Sequence, residues 1–144
     1  MKVYVDTSFL ISLYSPDANS LPAVRTIRAL SSTPVISTLC ELEVANALEL
    51  RVFRKEATAA QARQSTKVFA NDVRDGVFKL SALSDEMLEK ARQLSRQFTA
   101  RFGTRTADVL HVAAAVELGA DAIFSFDAKQ RELAKAVGLK VNPL

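Results

Sequence analysis

Short apolar runs alternate along the chain with longer stretches whose apolar residues recur every three or four positions. That alternation predicts strands and helices in turn. Residues 2–6 (KVYVD) form the first predicted strand, and TSFLISLY a helix directly after it. The stretch SPDANSLP breaks the pattern: Pro16, Asp17, Asn19 and Ser20 supply turn chemistry, and Pro22 suits a first helical turn. A helix through VRTIRALSS and a second short strand at residues 34–37 (PVIS) follow. Residues 38–55 hold no Gly or Pro and predict a long helix; Thr58 opens another, which runs to about Asp75 and stops at Gly76. Residues 77–81 (VFKLS) predict a third strand, and Ser84 caps a helix that reaches about Phe102. Thr106 opens ADVLHVAAAVEL, which Gly119 closes where a helix C-terminus is expected. Residues 122–126 (AIFSF) form a strand, AKQRELAKAV a helix closed by Gly138, and LKV a final strand.

Strands this short, separated by helices, imply crossover connections. The expected fold is α/β: three layers, α/β/α, around a central, mostly parallel sheet of about five short strands. No repeat, low-complexity segment or linker interrupts the pattern, so residues 1–144 suit a single domain. In such folds ligands bind outside the carboxyl ends of the strands, near the point where strand order reverses. The reactive side chains at those ends are therefore the ones to weigh.

Asp6 ends the first strand, where it either caps the following helix or forms one corner of a metal site. Asp127 repeats the arrangement in FSFDAKQ, with a hydroxyl at Ser125 two residues earlier. Asp108 falls in the first turn of a helix capped by Thr106, a place the helix dipole already favours for an acid. That helix is almost wholly apolar, so it is buried and its start is held near the sheet. The long helix offers Glu41 and Glu43. Thr38 and Glu41 have the spacing of a capping box, which accounts for Glu41 without function. Glu43 lies on a largely apolar stripe with Leu39, Cys40, Asn46 and Ala47 as neighbours, and burying an unpaired carboxylate there costs several kcal/mol. A cation removes that cost.

Asp6, Glu43, Asp108 and Asp127 can thus gather at one edge of one sheet, where four carboxylates repel each other unless something positive stands between them. Oxygen ligands and a hard divalent cation match, and Mg²⁺ or Mn²⁺ is the natural choice. Asp121 begins its strand and belongs to the opposite edge. His111, the only histidine, lies one turn after Asp108. It suits a hydrogen-bonded core residue, or one that orients Asp108 or a substrate phosphate. Thr7, Ser8 and Ser125 can hold the carboxylates in place. Arg25, Arg28, Arg51, Arg54, Lys55, Arg101 and Arg105 are candidate phosphate contacts or simply solvated charges.

Composition changes this picture little. The chain is 49% hydrophobic and 24% charged, with a net charge of +3. A pI of about 9.2 is compatible with a polyanionic partner. Cys40 is the single cysteine, so no internal disulfide forms and a reducing, cytoplasmic setting is expected. Asp6 interrupts the first apolar run too early for a signal peptide, and no run approaches the roughly 18–20 residues of a membrane helix.

Three stretches carry a resemblance: VDTSFLI, then S-x-L-x-x-x-E-V-A-N-A-L from Ser37 to Leu48, then ADVLHVAAAVELGADAIFSFD from Ala107 to Asp127. In order and spacing the set resembles the PIN-domain nucleases, and within them the VapC-type toxins of toxin–antitoxin pairs. The resemblance implies a PIN-like fold and RNA cleavage with Mg²⁺ or Mn²⁺ held by Asp6, Glu43, Asp108 and Asp127. It implies a hydroxyl role for Thr7 or Ser8 and for Ser125. It also implies a homodimer, and an antitoxin whose C-terminal segment occludes the site; the choice of RNA over DNA rests on it alone. Two other functions compete: a PIN-like module that binds RNA or a protein without cutting, and an aspartate-dependent phosphatase or phosphotransferase. The latter pattern needs a second acid two residues after Asp6, where Ser8 stands.

Overall fold

The computed structural model describes residues 1–143. Five strands form one sheet: β1 (Val3–Val5), β2 (Val35–Ser37), β3 (Lys79–Ser81), β4 (Ala122–Phe124) and β5 (Lys140–Val141). The helices are α1 (Thr7–Tyr14), α2 (Ser20–Arg28), α3 (Thr38–Phe53), α4 (Ala59–Arg74), α5 (Asp85–Leu94), α6 (Ala100–Phe102), α7 (Thr106–Glu117) and α8 (Ala128–Ala136). The sheet order is β3-β2-β1-β4-β5, and every pairing is parallel. The expected three-layer α/β/α architecture is therefore present, with the sheet wholly rather than mostly parallel.

β1 lies at the centre because its three residues can be buried on both faces. Val3, Tyr4 and Val5 are fully enclosed, as are Ile36 in β2 and Ile123 in β4. The helices fall into two packed groups, α1–α4 and α5–α8, which cover the two faces of the sheet. α7 is the most deeply set: Val109 to Ala115 are all buried, and its run of alanines lets the helix lie close against its neighbours. No described helix is long and apolar enough to cross a membrane.

Two features set the position of the site. The chain passes outward from β1 to β2 and β3, then returns across β1 to form β4, with Val5 paired to Phe124. Strand order thus reverses between β1 and β4, and the crevice of the fold opens there. Each of β1, β2 and β4 also leads into a helix within a few residues (α1, α3 and α8), so helix N-termini line the same edge.

Some boundaries differ from expectation. α2 begins at Ser20, earlier than predicted, with Pro22 tolerated in its first turn. β3 is confined to Lys79–Ser81: it pairs on one side only, and Phe78 turns inward to pack against Tyr14 and Phe69. β4 stops at Phe124, where the Ser125 N–H leaves the ladder for the Asn142 side chain at 2.7 Å. The helix expected to run unbroken to Phe102 contains a π turn at Ser95–Thr99, from which Phe98 stacks on Phe102. Gly103, in the left-handed region at φ 66°, ends it.

Candidate active site

Asp6 leaves β1 and caps α1. Its Oδ1 accepts hydrogen bonds from the Phe9 N–H at 2.9 Å and the Ser8 hydroxyl at 2.8 Å, and its Oδ2 accepts the Gln130 side-chain amide at 2.6 Å. The cap and the corner of a charged cleft are the same residue. Asp6 is 1% exposed, and burial pushes its pKa up despite the opposing field of His111 and these bonds.

Asp127 leaves β4 in the mirrored role, capping α8 through the Gln130 N–H at 2.8 Å while its own N–H donates to Ser125 Oγ at 3.0 Å. Ser8 ties the two strand ends together, since its hydroxyl accepts the Phe126 N–H at 2.9 Å while donating to Asp6.

Asp108 requires a correction. Thr106 is the first residue of α7 and Arg105 occupies the cap position; the Asp108 carboxylate reaches back to the Arg105 N–H at 3.0 Å. A carboxylate at the third helical position supplies the missing acceptor, so no capping hydroxyl is required. Burial raises the Asp108 pKa; the Arg105 N–H opposes that rise and the nearby Asp127 charge adds to it.

Glu43 enters from α3. Its Oε1 accepts the Thr7 hydroxyl at 2.8 Å and a hydrogen bond from His111 Nε2. Burial opposes ionisation here, but the bond and charge of His111, with Thr7, outweigh it and hold the Glu43 pKa low. Glu41 is exposed, and its expected capping box does not form. The helix begins one residue earlier at the Ser37 cap, and Thr38 Oγ1 accepts the Leu83 N–H instead.

His111 shares α7 with Asp108, yet its hydrogen bonds go to Glu43, Thr7 and Tyr4. Burial opposes its charge, but the Cys40 thiol, the Glu43 carboxylate and the field of Asp6 outweigh burial and hold its pKa at about 10.

All four acids line one cleft of about 530 Å³ with Thr7, Ser8 and His111. Of the seven cations singled out in the sequence, Arg51, Arg54 and Arg105 reach its walls, and the other four do not. Arg51 is anchored by Asp17 at 2.9 Å and Ser15 at 2.7 Å, whereas Arg105 is largely exposed.

Among the described residues, no three His, Cys, Asp or Glu side chains form a group able to hold a metal ion as they stand. The donor chemistry nevertheless fits a hard divalent cation, because the four acids offer only oxygen. Three of them also keep an oxygen free: Glu43 Oε2, Asp108 Oδ1 and Asp127 Oδ2 make no hydrogen bond among the described residues.

Sequence reasoning missed Gln130, Tyr4 and the placement of Asp17. Gln130 had a signal: Asp127 and Gln130 have capping-box spacing. Its side chain, 1% exposed, crosses to Asp6 rather than back to its own helix.

A PIN domain family model matches residues 3–136. Among solved structures, the chain is similar to VapC20 of Mycobacterium tuberculosis, described as a Sarcin-Ricin loop cleaving toxin. Identity is 20% and the TM-score 0.72, over 99% of this chain and 100% of that one. It is also similar to PAE2754 of Pyrobaculum aerophilum, at 21% identity and a TM-score of 0.65, over 98% of this chain and 90% of that one. VapBC-1 of nontypeable Haemophilus influenzae matches at 13% identity and a TM-score of 0.65, over 98% and 96% of the two chains. At these identities the likeness shows the fold. No curated protein sequence matches the chain.

Proposed function

The chain belongs to the PIN-domain family, and from that premise we propose that it is an endoribonuclease, dependent on Mg²⁺ or Mn²⁺, that serves as the toxin of a toxin–antitoxin pair. The observation that supports this reading best is the cleft itself. Acids from four separate segments line it, and two of them, Asp6 and Asp108, are buried at the cost of raised pKa values. A fold bears that cost when a cation offsets it.

In this reading Asp6, Glu43, Asp108 and Asp127 hold the metal. When bound, it polarises the scissile phosphate and lowers the pKa of a water nucleophile. The chain's own residues position the parts. Ser8 and Gln130 fix the Asp6 carboxylate, Ser125 fixes the turn that presents Asp127, and Thr7 holds Glu43. Arg51, Arg54 and Arg105 on the cleft walls take the phosphates on either side of the bond to be cut.

The likeness to a Sarcin-Ricin loop cleaving toxin supports RNA as the substrate, and the likeness to VapBC-1 supports an antitoxin partner. A homodimer and a cytoplasmic setting complete the proposal, and the buried free thiol of Cys40 suits the latter.

The test is cleavage of a panel of cellular RNAs by the purified chain, free of any antitoxin, with Mg²⁺, with Mn²⁺ and with a chelator, beside an Asp6→Asn variant. Metal-dependent cutting that the variant loses is the expected outcome. An inert protein with every metal, or a variant that cuts equally well, refutes the reading.

A further inference from the structure

Glu43 reaches the cleft on a longer and more flexible stem than the three aspartates, and it is held by a chain of contacts that continues into the core. Its Oε1 receives both Thr7 and His111 Nε2, which leaves Oε2 without a hydrogen bond among the described residues. The other imidazole nitrogen, Nδ1, meets the Tyr4 hydroxyl at 2.9 Å, and that hydroxyl meets Ser37 Oγ at 2.8 Å. Tyr4 is fully enclosed in β1 and His111 is 2% exposed, so neither ring is free to swing aside. The contacts also set the proton. Whether Nδ1 accepts from Tyr4 or donates to it, Nε2 carries hydrogen toward Glu43, because the remaining tautomer would set a lone pair against a carboxylate oxygen.

We propose that Tyr4 and His111 are positioning residues: through the imidazole, the buried tyrosine hydroxyl commits Glu43 Oε1 to the protein and leaves Oε2 as the single oxygen that residue gives a metal. This rests on the metal-dependent reading above. The logic is that of outer partners that orient a ligand and whose loss weakens metal binding while the ligand itself stays in place. A histidine that merely filled the core would leave the metal untouched.

Mn²⁺ titration of the whole chain by calorimetry tests this, with thermal melts of the metal-free proteins alongside. Tyr4→Phe keeps the ring and removes the hydroxyl, His111→Leu removes the donor, and His111→Gln restores one of similar reach. Tyr4→Phe and His111→Leu are expected to weaken Mn²⁺ binding by about 10–100-fold, with His111→Gln recovering part of the loss. In a Glu43→Gln background, His111→Leu is expected to add nothing further, because both changes act on one ligand. Where His111→Leu fails to fold, Tyr4→Phe and His111→Gln carry the comparison.

Unchanged Mn²⁺ affinity in Tyr4→Phe and His111→Leu overturns the inference, as does an undiminished effect of His111→Leu in the Glu43→Gln background. If Asp6→Asn loses Mn²⁺ while the Tyr4 and His111 variants keep it, the metal reading stands and only the positioning role falls. If the unaltered chain binds no Mn²⁺, both fall.

Discussion

Asp6 and Asp121 sit on neighbouring strands of the same sheet, one just past the carboxyl end of β1 and the other just before the amino end of β4. Asp121 is exposed and accepts the Lys2 N–H at 2.7 Å, so it pins the entry of one strand to the other while its charge stays in water. Asp6 is enclosed, hydrogen-bonded by Ser8, Phe9 and Gln130, and its pKa is raised. Parallel pairing is what separates them. It sends every amino end to one edge and every carboxyl end to the other, together with the helix starts that follow. An acid at the first edge is a local pin; at the second it joins Glu43, Asp108 and Asp127 in a common field. Residue type and nearness to a strand end do not distinguish the two, whereas strand direction does.

The sharpest way to break that contrast is to remove an acid from the carboxyl edge. Asp108→Asn is expected to slow RNA cleavage in single turnover by about a thousandfold, the effect of several kcal/mol lost from the transition state. Glu43→Gln should cost about a hundredfold, the size of one lost preorganised contact, while Glu41→Gln, two positions away and exposed, leaves the rate unchanged.

Stability moves the opposite way. A carboxyl whose folded pKa is raised stabilises the fold in its protonated form, fully so below the ordinary aspartate value of 3.8, and that contribution is lost as pH rises through the folded value. Asp6→Asn should therefore melt higher than the unaltered chain at neutral pH in chelator, by about 3–4 °C for each kcal/mol recovered. The advantage should vanish below about pH 3.8, which melts across pH would reveal. The smallest effect is expected at the other edge. Asp121→Asn keeps an acceptor for Lys2 and should alter stability by less than about 0.5 kcal/mol in denaturant melts, with cleavage intact.

The order of elements was legible because each strand is a short apolar run and each helix a longer amphipathic one. Asp6 and Asp127 were legible for the same reason, as carboxylates placed where an apolar run stops. The contacts of Gln130 and Tyr4 were not. Gln130 meets Asp6 across 124 residues and Tyr4 meets His111 across 107, and no local periodicity encodes such pairs. The sorting of seven cations into three on the cleft walls and four elsewhere likewise depends on the packing of α3 and α7 around the sheet. Capping at α7 was misread because a hydroxyl at Thr106 and a carboxylate at Asp108 leave similar local signatures, and the geometry chose the carboxylate.

The central place of β1 has a consequence in time. The strand that carries Asp6 leaves a translating ribosome before its neighbour β4, paired from Val3 to Val5, which is made only after more than a hundred further residues. Until β4 arrives, nothing presents Asp127, and Gln130 is not there to hold Asp6. Whatever chemistry the cleft performs is thus withheld from the nascent chain. The cleft is complete only when the two strands lie side by side.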